Sequence, residues 1–200
     1  MTARKIAVIS AGLSQPSSTR LLADRLAAAT QKNVESTIEV IELRDVATDV
    51  MNNMVTGFAS PKLEKVIESV TGADAVIAVT PIFTTSYSGL FKSFIDILDP
   101  AALTGMPVLI GATGGTERHS LALDYAMRPL FTYLHAVVAP TGVYAASSDW
   151  GSAESSLGER VDRAAAEFAA LVRESDRSSL VRDPFALPAG FSPVGAFGAN

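Results

Sequence analysis

The feature that most constrains this chain is a rhythm of short apolar runs separated by amphipathic helical patterns. "IAVIS" from Ile6, "TIEVIEL" from Thr37, "ADAVIAVT" from Ala73, "PVLIGAT" from Pro107 and "HAVVAPTGVY" from His135 read as strands. Between the first two, Leu22, Leu26 and Ala29 fall at i, i+4 and i+7. "SPKLEKVIESV" places Leu63, Ile67 and Val70 on one helical face, with Ser60 as cap and Pro61 in the first turn. "SGLFKSFIDILDP" and "LALDYAMRPLFTYL" follow, the latter interrupted or kinked at Pro129, and "SAESSLGERVDRAAAEFAALVRES" closes the series as a long Ala-rich helix. Strands that are apolar on both faces need cover on both faces, which a parallel sheet with crossover helices supplies. The expected fold is α/β: a doubly wound five-stranded parallel sheet with helices on both faces.

Residues 1–182 are enough for one such domain, whereas the sequence changes character at Asp183. The tail 183–200, "DPFALPAGFSPVGAFGAN", has no period. It reads either as a frayed end or as a segment packed on its own or a neighbouring subunit. No run of about 18 apolar residues and no signal-like start are present, so a cytoplasmic protein without membrane contact is expected. A net charge of -5 with scattered Lys and Arg argues against nucleic acid. The chain has 0 cysteines, so thiolate chemistry and Cys-metal sites are excluded, and no metal site is expected. Any redox chemistry must come from a bound organic cofactor.

In a doubly wound sheet of flavodoxin order, 2-1-3-4-5, ligands bind beyond the strand ends where the order reverses, between strands one and three. The loops after strands one, three and four are therefore expected neighbours. They read "SAGLSQPSST", "TPIFTTSYSG" and "TGGTERH". The first leads into a helix N-terminus, and its Ser10, Ser17, Ser18 and Thr19 hydroxyls suit a phosphate; one serine alone would suffice as an N-cap. It matches neither GxxxxGK[ST] nor GxGxxG. In the second, Pro81, Ile82 and Phe83 beside Thr84 offer an apolar wall with polar edges, or a plain connection capped by Ser86 or Ser88. In the third, Gly114 and Gly115 let backbone amides approach a ligand, or simply make a turn.

Two of these blocks, "TPIFTTSYSGLFKSFIDIL" and "ATGGTERHSLALDYAMRPLF", carry a resemblance. With the opening loop, the chain resembles the NAD(P)H-dependent FMN reductases of flavodoxin-like fold over about residues 4 to 145. It is most similar to those that feed reduced flavin to two-component monooxygenases such as the alkanesulfonate system. The resemblance implies FMN bound by Ser10, Gln15, Ser17, Ser18, Thr19, Pro81, Ile82, Phe83, Thr84, Thr113, Gly114, Gly115 and Thr116. NADPH or NADH is the implied donor, with Arg118 and His119 as candidate nicotinamide-cofactor contacts. It also implies a homodimer or homotetramer through Tyr87, Lys92, Asp96 and Tyr125, Tyr125 lying in a π-bulge; a half-buried helix tyrosine is the plainer reading. Two departures stand out: Leu13 occupies a position where many relatives carry arginine, leaving Arg20 as substitute, and Phe83 stands where tyrosine is common. The expected reaction is hydride transfer by cofactor alignment, with no catalytic side chain. The alternatives are an FMN-retaining quinone or azo reductase and a flavodoxin-like electron-transfer protein.

Overall fold

Side-chain parity along β1 (Arg4–Ser10) sets the layering. Ile6 and Val8 enter one core, Ala7 and Ile9 the other, because successive residues of a strand point to opposite faces. The computed structural model describes residues 3–151 and 156–177. Around β1 the chain builds α1 (Ser18–Gln31), β2 (Ser36–Glu42), α2 (Ala47–Thr56), α3 (Pro61–Thr71), β3 (Ala75–Phe83), β4 (Ser86–Tyr87) and α4 (Gly89–Asp96). It continues with β5 (Pro107–Gly114), α5 (Arg128–Tyr133), β6 (Val137–Val138), β7 (Val143–Ala146) and α6 (Leu157–Glu174). Helices α1 and α6 cover one face of the sheet, their Leu22, Leu26, Ala164 and Phe168 packing with Ile77 and Val79. The other face is covered by Val50 of α2, Leu63 of α3, Phe91 and Phe94 of α4 and Phe131 of α5.

The expected five-stranded count and the order 2-1-3-4-5 need correction. Among the described residues the sheet has seven strands in the order β2-β1-β3-β5-β6, with β4 antiparallel to β3 and β7 parallel to β5. The fifth run is split because Pro140, between β6 and β7, lacks an N–H for the ladder. Next to it, Gly142 lies so close to the sheet that a Cβ would stand 3.1 Å from Ile110 Cγ1. The pairing of β1 with both β2 and β3 is as expected, and it keeps the reversal point beside β1. β2 lies at the end of the order, in keeping with its Glu39 and Glu42.

The caps explain why the helices begin where they do. Ser17 accepts from Arg20 N, Ser60 from Leu63 N and Ser88 from Phe91 N, each at 3.2 Å. Pro129 is housed differently from a simple kink. A π-helical segment, Leu123–Met127, runs directly into α5, so the proline falls in the first turn of the α-helix, where its missing N–H does no harm. Beyond α6, Arg177 donates to the carbonyls of Thr71 and Ala73 at 2.9 Å and also reaches Ala102 and Thr104, tying the chain to the base of the sheet. The tail 183–200 lies outside the described residues. Among the described residues, no helix is long and apolar enough to cross a membrane.

Candidate functional site

At the C-terminal ends of β1, β3, β5 and β7 lies a cleft of about 630 Å³. Its wall comes from Gly12, Leu13, Ser14, Ser17, Ser18 and Thr19 of the first loop and helix, Pro81 to Phe83, Thr113 to Gly115, and Ser147 and Trp150. The three loops singled out in the sequence therefore meet, and the volume is in the usual range for a small-molecule site.

The hydroxyls of the first loop have unequal tasks. Ser17 caps α1, and Ser14 Oγ donates to the Pro16 carbonyl at 3.1 Å. Thr19, buried, shares a 2.8 Å hydrogen bond with Thr113 that pins the start of α1 to the end of β5. Ser18 is exposed in the first turn of α1 and makes no side-chain hydrogen bond among the described residues. It stands beside the helix N-terminus, whose amides and dipole favour an anion. Ser10 is fully buried, its hydroxyl has no partner among the described residues, and it is not part of the cleft wall.

The cation expected from Arg20 is committed elsewhere: Arg20 pairs with Asp24 at 2.8 Å and Glu42 at 2.5 Å. The hydrogen bond to Asp24 is the main reason its pKa is raised, and burial acts against it. Arg44, which the sequence did not nominate, braces the loop instead. It donates to the Ser14 carbonyl at 2.8 Å and pairs with Glu42. Gln15 lies outside the cleft wall, and with its amide oxygen turned inward it accepts from Arg44 Nη2 at 2.7 Å.

On the second loop, Pro81 and Ile82 are buried and Phe83 is 50% exposed. Thr84 does not line the cleft. It and Thr85 form the two-residue connection between β3 and β4, with φ of 49° and 69°. Positive φ at both positions matches the tight hairpin turn, and β-branched residues there are strained. On the third loop, Thr116 caps the short helix Glu117–His119, and its carbonyl accepts from Tyr144 Oη at 2.8 Å. Arg118 is exposed and His119 half-buried, and neither reaches the cleft wall. Tyr87 packs on Phe91 with ring centroids 5.9 Å apart, and Lys92 pairs with Asp96 at 2.6 Å within α4. Tyr125, in the π-helical segment, is 79% exposed.

Burial, with a smaller contribution from Glu117, raises the Tyr144 pKa, so its hydroxyl stays a donor to Thr116 well into the alkaline range. A raised pKa for this acid means that stability is unaffected below the unfolded value of about 10 and falls as pH rises through the folded one. Tyr144→Phe is expected to flatten that alkaline loss, read as urea melts compared at about pH 9 and about pH 11. An equally steep loss in the variant would contradict it.

Ser147 and Trp150 were missed because the expectation stopped at the loops after strands one, three and four, whereas the turn that follows β7 also reaches the cleft.

A family model described as NADPH-dependent FMN reductase matches residues 4–151. An FMN reductase (NADPH) of Pseudomonas aeruginosa is 38% identical over 146 residues, 73% of this chain and 78% of that protein. An NADH-dependent FMN reductase, SfnE, of Pseudomonas putida is 33% identical over 171 residues, 84% of this chain and 91% of that protein. A solved oxidoreductase from Corynebacterium diphtheriae is 46% identical, with a TM-score of 0.83 over 88% of this chain and 100% of its own.

Proposed function

The chain belongs to the NADPH-dependent FMN reductase family and is an NAD(P)H:FMN oxidoreductase, and on that premise we propose that it works at the Gly12–Trp150 cleft. One observation carries the assignment: loops far apart in sequence converge there, one offering a helix N-terminus and the others apolar walls and glycine backbone. The residues present fit FMN. Ser18 and the first amides of α1 suit its phosphate, Pro81 to Phe83 suit a flat ring, and Gly114 and Gly115 expose backbone at the ring's polar edge. Gly12 supports the fit, since a Cβ there would overlap Ser17 Oγ and fill the cradle.

When bound, FMN supplies the acceptor for hydride from reduced nicotinamide. The chain's contribution is orientation: the walls fix the ring plane, and the backbone donors favour added negative charge. No side-chain acid or base is assigned. The expectation that Ser10, Gln15, Thr84 and Thr116 touch FMN directly gains no support from their positions. Ser10 and Gln15 lie outside the wall, Gln15 beside Arg44, and Thr84 and Thr116 hold turns.

Steady-state oxidation of NADH and NADPH with FMN, FAD and riboflavin, joined to flavin titrations, tests the reading. Ser18→Ala is expected to raise the FMN dissociation constant about 10-fold and leave riboflavin unchanged, the loss of one charge-assisted hydrogen bond. Equal weakening of both flavins would remove the phosphate from this helix start.

The further reading is a cytoplasmic reductase that hands reduced FMN to a flavin-dependent monooxygenase and assembles as a homodimer or homotetramer. Arg20 is occupied by Asp24 and Glu42, which leaves the phosphate mainly neutral donors and suits a flavin held loosely. For assembly, the exposed Tyr125 and nearby Leu121, 63% exposed, are the favoured contact. Lys92 and Asp96 are already paired within one helix. Tyr125→Asp is expected to lower the apparent mass in size-exclusion chromatography with flavin reduction by the smaller species retained; an unchanged mass would move the interface elsewhere.

A further inference from the structure

Trp150 lies where no sequence motif pointed, and three observations give it a task. First, it borders the cleft while its remaining surface packs on the core between α1, α6 and the sheet. Second, it is held on two sides. Arg25, on the exposed surface of α1, places its guanidinium 5.0 Å from the indole centroid. The turn Ser147–Trp150 is anchored by Asp149, which accepts from Ala146 N at 2.8 Å and pairs with Arg160 of α6 at 2.5 Å. Arg160 also donates to the Tyr144 carbonyl, so the turn is fastened to both β7 and α6.

Third, β5 lies between β3 and β7, so the strand that ends in Gly114 is flanked by the one ending in Phe83 and the one leading to Trp150. Two strand spacings separate these flanks, about 10 Å. Partly exposed aromatic surface at a cleft rim is covered favourably by a flat conjugated ligand and poorly by a small anion.

We propose that the Trp150 indole, oriented by Arg25, is an aromatic wall that recognises the conjugated ring of the flavin, opposite Phe83 across the end of β5. The proposal rests on the reading of this cleft as the FMN site. It assigns ring recognition to the turn after β7, separately from phosphate recognition at α1. Trp150 is a specificity residue and Arg25 a positioning residue; neither takes part in a bond change.

The test compares FMN, riboflavin and inorganic phosphate as a competitor, using equilibrium dissociation constants. Trp150→Ala is expected to weaken FMN and riboflavin by the same factor, about 10-fold, and to leave phosphate competition unchanged. Trp150→Phe is expected to stay within about 3-fold of the unaltered chain, because a smaller aromatic ring keeps the contact. Arg25→Met, at an exposed position, is expected to weaken both flavins about 3-fold by freeing the indole, and it decides the matter should Trp150→Ala fail to fold. The chain contains 1 tryptophan, so a shift of its emission in Arg25→Met without flavin reports the freed ring directly.

Unchanged flavin affinity in Trp150→Ala, with only a lower Tm, would make the indole structural and overturn the proposal. A loss confined to FMN would place it at the phosphate and overturn it equally. Failure of the unaltered chain to bind either flavin would instead overturn the FMN reading on which the proposal rests.

Discussion

Gly12→Ala is expected to weaken FMN binding about 100-fold while leaving the far-UV circular dichroism of the chain intact. The position needs no unusual backbone angle; what it needs is the absence of a Cβ. That atom would overlap Ser17 Oγ and stand 3.1 Å from Thr19 Cβ and 3.2 Å from Ser17 Cβ. Rotating the Ser17 hydroxyl away gives up the cap on Arg20 N, worth about 1 kcal/mol. Pushing Thr19 away instead strains its buried hydrogen bond to Thr113. Either route moves the start of α1 relative to the end of β5, and the proposed phosphate and ring contacts lie on those two elements. Riboflavin should weaken less than FMN, since only part of its cradle is lost. Titration of the two flavins checks this, and affinities within about 3-fold of the unaltered chain would show that the loop absorbs the methyl group.

The second large effect is on stability. Phe91→Ala is expected to cost about 4 kcal/mol and to lower Tm by about 10 °C. Phe91 is fully buried at the start of α4, with Tyr87 at 5.9 Å and Phe131 at 6.2 Å between ring centroids. Its removal opens a cavity beneath the strand end that carries Pro81 to Phe83. The backbone there is already strained at Thr84 and Thr85, so relaxation into the cavity is restricted from that side. Calorimetry gives the test, and a loss under about 1 kcal/mol would mean that Tyr87 and Phe131 close the gap.

What the sequence made legible was whatever repeats with a period or follows from chain direction. The double-faced strands of β1, β3 and β5 and the serine caps of α1, α3 and α4 were readable because parity and capping chemistry are local. The meeting of the three loops followed from the parallel direction of the strands. Other features depend on partners distant in sequence. Nothing near Thr19 marks it as the partner of Thr113, and nothing near Arg44 marks it as the brace of Ser14. Helix α2 was not foreseen, because Met51, Met54 and Val55 are exposed and blur its apolar stripe. Ser10, Gln15, Thr84 and Thr116 belong to loops that border the cleft but are not in its wall, because a loop's composition does not say which of its residues face inward.

The two cores of the sheet divide the molecule in a way that bears on its divergence. Helices α1 and α6, with the turn that holds Trp150, lie on one side of the sheet. Helix α4 and the π-helical segment bearing Tyr125 lie on the other. Substitutions that reshape the second side meet the first chiefly through the strands between, with Arg177 and Arg44 as the polar ties around them. On the proposed assignments, subunit contacts at Tyr125 can diverge on one flank while the start of α1 and the Trp150 turn keep their packing on the other.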